Sequence, residues 1–152
     1  MSFLQTGTIY SIKARHSGKV LGIGGASQDN GAQVIQWDWA NVNNEKWRVI
    51  DLGDDIYTFQ AIHSGQFMSV YRNETNNGSW IVQYPANDQA TSQQFLLTDA
   101  SDGYFYMRPM DNTNKYVAVA GGSKDNGTSI IIWDPSTEKD EQRFKFEVQS
   151  VS

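Results

Sequence analysis

The sequence predicts an all-β protein assembled from three copies of one four-stranded unit. Three observations carry that prediction. A closely similar phrase occurs three times, as DNGAQVIQW at 29–37, NNGSWIVQY at 76–84 and DNGTSIIIW at 125–133. The phrase sits inside a longer unit, whose opening tyrosine recurs after 47 residues (Tyr10 to Tyr57) and again after 49 (Tyr57 to Tyr106). Short runs of alternating apolar and polar residues fill each unit, and no stretch of about ten residues keeps a 3.6-residue period. A self-similar period of this length marks one supersecondary unit used repeatedly, because a single copy cannot bury its own apolar face.

The elements follow in order within each repeat, the repeats spanning about 8–52, 55–100 and 103–149 of a single domain, 1–152. The first strand is IYSIKAR (9–15), IYTFQAI (56–62) and YFYMRPM (104–110). A turn follows, HSG in two repeats and NTN in the third, and then a short second strand, KVLGI, QFMSV or KYVAV. The repeated phrase supplies the third strand, AQVIQW and SWIVQY being rich in β-branched and aromatic residues. Its xNG triplet provides the positive φ of a tight turn, which glycine adopts without steric cost. The fourth strand begins at a closing aromatic, in WRVIDL, FLLTD and FKFEV. The segments KDEQRFKF and QATSQQF allow a single helical turn at most. Propellers usually need at least four blades. A closed barrel of three such units, capped by hairpins, leaves no open sheet edge. The predicted architecture is therefore a β-trefoil.

Composition narrows function. A chain of 152 residues, 39% hydrophobic and 12% aromatic, supports one sizeable core. There is no cysteine, which excludes disulfides, thiolate metal sites and cysteine nucleophiles. The net charge of −5 and the absence of a basic stripe argue against nucleic acid and anionic membrane surfaces as partners. No apolar run approaches the ~18 residues of a membrane span, so no membrane insertion is expected. The start, MSFLQTGTIYSIKARHSG, lacks the layout of a secretory signal, which points to a cytoplasmic protein or one released without a classical signal peptide. His16 and His63 occupy the same repeat position and read as turn-stabilising residues. Without clustered acids they do not make a zinc site. GIGGAS and AVAGGS lack the helix and the Lys-Ser/Thr of a phosphate loop and read as turns. The sequons at Asn73, Asn77 and Asn126 read as turn chemistry. The acids are scattered over loops with no preferred pair, so neither catalysis nor a cofactor is expected.

The closing aromatics stand in the triplets Glu45-Lys46-Trp47, Gln93-Gln94-Phe95 and Gln142-Arg143-Phe144. Three such triplets in register, each after an NG turn and an aromatic, resemble the Q-x-W repeats of the ricin B-type β-trefoil lectins, from about Tyr10 to Val148. The chain departs from that pattern at Glu45 and by Phe95 and Phe144. The resemblance implies that Trp47, Phe95 and Phe144 are core residues. It also implies a shallow sugar pocket in each repeat, for galactose- or GalNAc-type ligands on glycans or glycoconjugates. A sugar stacks its apolar C–H face on a ring, while its hydroxyls bond carboxylates and amides. Carried over, the ring platforms are Trp37, Tyr84 and Trp133, and the amide partners are Asn44, Gln93 and Gln142. The carboxylate position holds Gly22, Ser69 and Ala118, so the family's acid is missing three times. A hydrogen bond to a charged group contributes roughly 1.5–3 kcal/mol, about 10–150-fold in affinity. Asp38 and Asp134 directly after two platforms, and Asn87 three residues past Tyr84, are the candidate replacements.

The platforms have a competing reading as plain core residues, shared with Trp39, and Trp80 is assigned to the core or a packed loop. The sequence reading ranks unit one first, on Trp37, Asp38 and Asn44; it places Glu141 of unit three where unit one has Asn44. Binding through weak single sites would gain avidity from several pockets or from a homodimer. Two other readings stay open: a protein-binding trefoil such as a protease inhibitor, and the targeting part of a toxin. Fold alone does not separate them.

Overall fold

The computed structural model describes residues 2–87 and 89–150. It contains twelve strands and, among the described residues, no α-helix. Unit one contributes β1 (Ile9–Ala14), β2 (Val20–Ile23), β3 (Val34–Trp37) and β4 (Trp47–Gly53). Unit two contributes β5 (Ile56–Ala61), β6 (Phe67–Val70), β7 (Ile81–Tyr84) and β8 (Phe95–Asp99). Unit three contributes β9 (Phe105–Pro109), β10 (Tyr116–Val119), β11 (Ile130–Trp133) and β12 (Phe144–Val148). Short 3₁₀ turns follow each second strand, at Gly24–Ala26, Tyr71–Asn73 and Ala120–Gly122, and precede each fourth, at Asn43–Glu45, Thr91–Gln93 and Asp140–Gln142.

The first and fourth strands close a six-stranded antiparallel barrel. Within the units, Tyr10 pairs with Trp47, Tyr57 with Phe95 and Phe105 with Phe144. Between the units, β4–β5, β8–β9 and β12–β1 complete the circuit. The hairpins β2–β3, β6–β7 and β10–β11 cap one end. They touch one another through single bridges, Gln33 with Val82, Ile35 with Ser129 and Trp80 with Ile131. This is the β-trefoil that the repeat predicts. Trp47, Phe95 and Phe144 are fully buried, and Phe59 stacks on Phe146 with ring centres 5.8 Å apart. The Trp47 indole satisfies its N–H on the Leu21 carbonyl at 3.1 Å.

The recurring phrase is an inter-repeat clasp. The Gly31 N–H donates to the Gln83 carbonyl, Gly78 to Ile132 and Gly127 to Gln36, at 2.8–2.9 Å. Each turn of one unit thus docks on the third strand of the next around the ring. The three glycines have φ of +83°, +90° and +89°. Buried glutamines and histidines reinforce two of the three joints. The fully buried Gln83 amide donates to the Ser27 and Asp29 carbonyls, both at 2.9 Å, and accepts from the Ser64 hydroxyl at 2.8 Å. Gln36 does the same with Ser123, Asp125 and Ser17. His16 and His63 donate through Nε2 to the Ser123 and Ser27 carbonyls of the adjacent unit, at 2.7 and 2.8 Å.

The triplet glutamines brace the loop that follows each third strand. Gln93 accepts from the Asn87 N–H and donates to the Pro85 carbonyl; Gln142 accepts from Ser136 and donates to Asp134. Glu45 keeps half of this pattern, its Oε1 accepting from the Ala40 N–H at 2.8 Å. It is only 2% exposed. Burial first, and then the charge of Asp38, hold its carboxyl above the ordinary glutamate range despite the Ala40 N–H.

Two predictions follow from this bracing. Gln83→Ala removes the amide that donates to the Ser27 and Asp29 carbonyls and accepts from Ser64, and should lower stability by about 1–3 kcal/mol in chemical denaturation, with the spectrum of the folded state retained. Glu45→Gln supplies the same acceptor with no buried charge and should raise Tm by about 2–4 °C at neutral pH. An acid with a raised folded pKa favours the folded state most when protonated, so this gain should shrink as pH falls through the raised folded value and be gone below the ordinary glutamate value of about 4.3. A Tm difference that is constant between neutral and acid pH refutes the assignment of a buried charge.

Candidate functional site

Strands β3, β7 and β11 each end by turning an aromatic ring outward. Trp37, Tyr84 and Trp133 are 46%, 51% and 41% exposed, although the preceding residues Gln36, Gln83 and Ile132 are wholly buried. Alternation along the strand explains the change of side. The clasp sets each ring beside a turn from the neighbouring unit: a Cβ on Gly127 would lie 3.7 Å from the Trp37 ring, and one on Gly78 would lie 3.9 Å from Trp133. Tyr84 shares its groove with Asn30 and Gly31. The platforms are therefore exposed rings at unit interfaces, not core residues. Trp39 is exposed as well.

An open groove lies next to each platform. The floor positions Gly22, Ser69 and Ala118 line them. A Cβ on Gly22 would meet the Asn44 carbonyl at 2.8 Å and Glu45 Cγ at 3.2 Å, so the unit-one floor has no room for an aspartate without backbone movement. Ser69 is buried and already donates its hydroxyl to the Phe67 carbonyl at 2.9 Å, which leaves its oxygen only as an acceptor.

The amides play mixed parts. Asn44 lines the unit-one groove while donating to the Ile23 carbonyl at 3.0 Å. Gln93 and Gln142 border their grooves from below; both are buried and committed at both ends to the loop braces. Asn87 lies on the rim of the unit-two groove, its Oδ1 accepting from the Gln89 N–H.

Asp38 and Asp134 line none of the three grooves. Each closes a triad with a lysine of its own unit and the NG asparagine of the neighbouring one. Asp38 pairs with Lys19 at 3.3 Å and accepts from Asn126 at 3.0 Å. Asp134 pairs with Lys115 at 2.7 Å and accepts from Asn77 at 3.0 Å. The asparagine amide, then the lysine, holds Asp38 below the ordinary aspartate range; for Asp134 the lysine comes first. Neither replaces the missing acid: one residue past an outward ring, the chain has turned its side chain to the neighbouring turn. Unit two has Gln66 and Pro85 in place of the lysine and the aspartate, so its NG residue, Asn30, faces the groove instead.

The grooves do not follow the ranking that the sequence suggests. That of unit two encloses about 500 Å³, against about 330 Å³ in unit one and 190 Å³ in unit three. It brings together Ser69, Tyr84, Asn87 and Gln93. It also recruits Asn30, Tyr71, Arg72 and Ser92, which sequence reading passed over. A position-by-position comparison of the three repeats would have found Tyr71 and Arg72, because units one and three have glycine or alanine there. In unit three the groove contains Trp133 and Gln142 with Glu141, which the sequence places at the position of Asn44, and it adds Lys139, which sequence reading passed over. Trp80, read from the sequence as core or a packed loop, is not core: it is 44% exposed and rests against Tyr71 with ring centres 5.6 Å apart. Among the described residues no group of three or more His, Asp or Glu side chains is placed to hold a metal ion.

A fold of this kind is shared with known proteins. The model of the ricin-type beta-trefoil lectin domain-like family matches residues 2–84 and 55–133. A designed three-fold symmetric protein, ThreeFoil, superposes with a TM-score of 0.88 at 34% identity, covering 93% of this chain and 99% of its own. An exo-β-1,3-galactanase from Clostridium thermocellum matches at 26% identity and a TM-score of 0.89, over 96% of this chain but 31% of the enzyme. The Macrolepiota procera ricin B-like lectin, solved in complex with lactose, matches at 18% identity and a TM-score of 0.80, over 95% of this chain and 97% of the lectin. No curated protein matches the chain. With the family model matching most of its length and the barrel, the caps and the three triplets in register, the chain belongs to the ricin-type β-trefoil lectin domain-like family.

Proposed function

We propose that the protein is a lectin that binds galactose- or GalNAc-type glycans, without turnover, and that the unit-two groove is its principal site. One observation carries the reading: the same interface position in all three units presents an exposed ring beside an open groove. A ring exposed once is ordinary; a ring exposed three times by symmetry, with amides on the rim, suits the apolar face and hydroxyls of a hexose. The lactose complex of the Macrolepiota procera lectin supports the sugar class. An inhibitor acting through one loop gives no reason for repeating this arrangement.

Unit two leads because its groove is the most spacious and carries the most hydrogen-bonding side chains on its rim. Without a floor carboxylate each site should be weak, with avidity supplied by several grooves or by self-association. The test is a glycan array followed by titration of the best hit with three single variants. Tyr84→Ala should weaken binding about tenfold while leaving the fold intact, since stacking and the burial of the ring are both lost. Trp37→Ala and Trp133→Ala should have smaller effects. An empty array, or Tyr84→Ala binding like the parent, overturns the reading.

A further inference from the structure

We infer that the unit-two groove contains an anion subsite, built by Arg72, for a carboxylate or sulfate carried on the glycan. This deepens the lectin reading and rests on it.

The first observation is a break in the symmetry. The 3₁₀ turn after the second strand reads Gly24-Gly25-Ala26 in unit one and Ala120-Gly121-Gly122 in unit three, but Tyr71-Arg72-Asn73 in unit two. The middle residue has a left-handed backbone in all three, φ being +60° at Gly25, +60° at Gly121 and +54° at Arg72. Glycine adopts this conformation freely, and a long β-substituted side chain is strained in it. Two units keep glycine at the position; the third holds an arginine there, over the largest groove. Strain of this kind clusters at binding and catalytic sites.

The second observation is how the guanidinium is held. Its carbon lies 4.9 Å from the centre of the Tyr71 ring, and Tyr71 in turn rests on Trp80. The positions equivalent to Trp80 are Gln33 and Ser129, so the whole column of Trp80, Tyr71 and Arg72 belongs to unit two alone. It pre-orders the cation from one side and leaves the edge of the fork open. Among the described residues Arg72 has no carboxylate within ion-pair distance, and none of the described residues lining the groove is acidic. Units one and three differ, with Glu45 and Glu141 in their grooves.

The third is charge. The protein carries −5 overall, so anions are not drawn to it in general, and a preference for an anionic glycan has to be local. A guanidinium offers parallel N–H donors that match both carboxylate and sulfate, and neutral sugars have no group that needs them. Tyr84 and Arg72 on one groove suit a hexose stacked on the ring with an anionic substituent at its edge.

The experiment titrates the intact protein and Arg72→Gly with lactose, 3′-sulfolactose, 3′-sialyllactose and inorganic sulfate. Arg72→Gly restores the residue found in the other two units, so folding is not at risk. The parent should bind at least one charged trisaccharide or sulfated disaccharide about three- to tenfold tighter than lactose, and the variant should bring that ratio to about one. Which charged probe gains tells carboxylate from sulfate. A ratio near one in the parent, or an equal ratio in parent and variant, overturns the anion subsite while leaving the lectin reading standing. Binding of inorganic sulfate as tight as that of the charged glycan also overturns it, as a bare ion site. If neither lactose nor the charged forms bind, the sugar reading of this groove fails and the subsite fails with it.

Discussion

Everything in this molecule depends on the clasp between one unit's NG turn and the next unit's third strand. A cap hairpin of two four-residue strands has polar backbone groups on its open edge that must be paired. Here the pairing comes from the neighbour: Gly31 donates to Gln83, whose N–H returns to the Ala32 carbonyl, and Gly78 and Ser79 treat Ile132, and Gly127 and Thr128 treat Gln36, in the same way. The ring closes only with all three units present, which makes folding a collective event. It also fixes where the three exposed rings lie. The residue after each clasped one must point outward, and it emerges against the turn that has just docked. The platforms Trp37, Tyr84 and Trp133 are thus a consequence of the same contact that closes the fold.

Symmetry then explains most of the chain, and its exceptions explain the rest. In two units the residue after the platform is an aspartate, locked to a lysine and to the neighbour's NG asparagine. These triads draw the docked turn against the platform end of the strand. Unit two has neither the lysine nor the aspartate, and there the turn's asparagine is released to the groove. The widest groove, the strained Arg72 and the aromatic column all lie in that unit. One repeat has been relieved of part of the joint's chemistry while the other two maintain it.

The fold was legible because its two signals are local and repeated. The period and the NG turns survive divergence at every surface position, and the closing aromatics cannot leave the core without opening a cavity. The site was legible only in part. The platforms were placed by the phrase itself. Asp38 and Asp134 stand outside the three grooves, because adjacency to a ring does not say to which side the chain turns. Trp80 was read as core or a packed loop because a large apolar residue beside a strand is usually buried; here it is exposed and rests against Tyr71. Arg72 escaped notice since glycine is the usual mark of a left-handed residue, and an arginine in that conformation gives no sequence signal except by comparison with Gly25 and Gly121.

The missing floor carboxylates follow from the same packing. In unit one the loop carrying Asn44 and Glu45 has come so close that only glycine fits at position 22, and an acid there would be pressed against the Asn44 carbonyl. A buried carboxylate without a partner costs more than it returns in affinity. On the proposed lectin reading, recognition would therefore rest on the rim, on exposed rings, loop amides and, in unit two, a guanidinium. Rim contacts are individually weaker, because water competes for each of them. A protein built this way gains strength by repeating a modest contact and selectivity by changing one copy, and the three-fold plan with one divergent unit provides both.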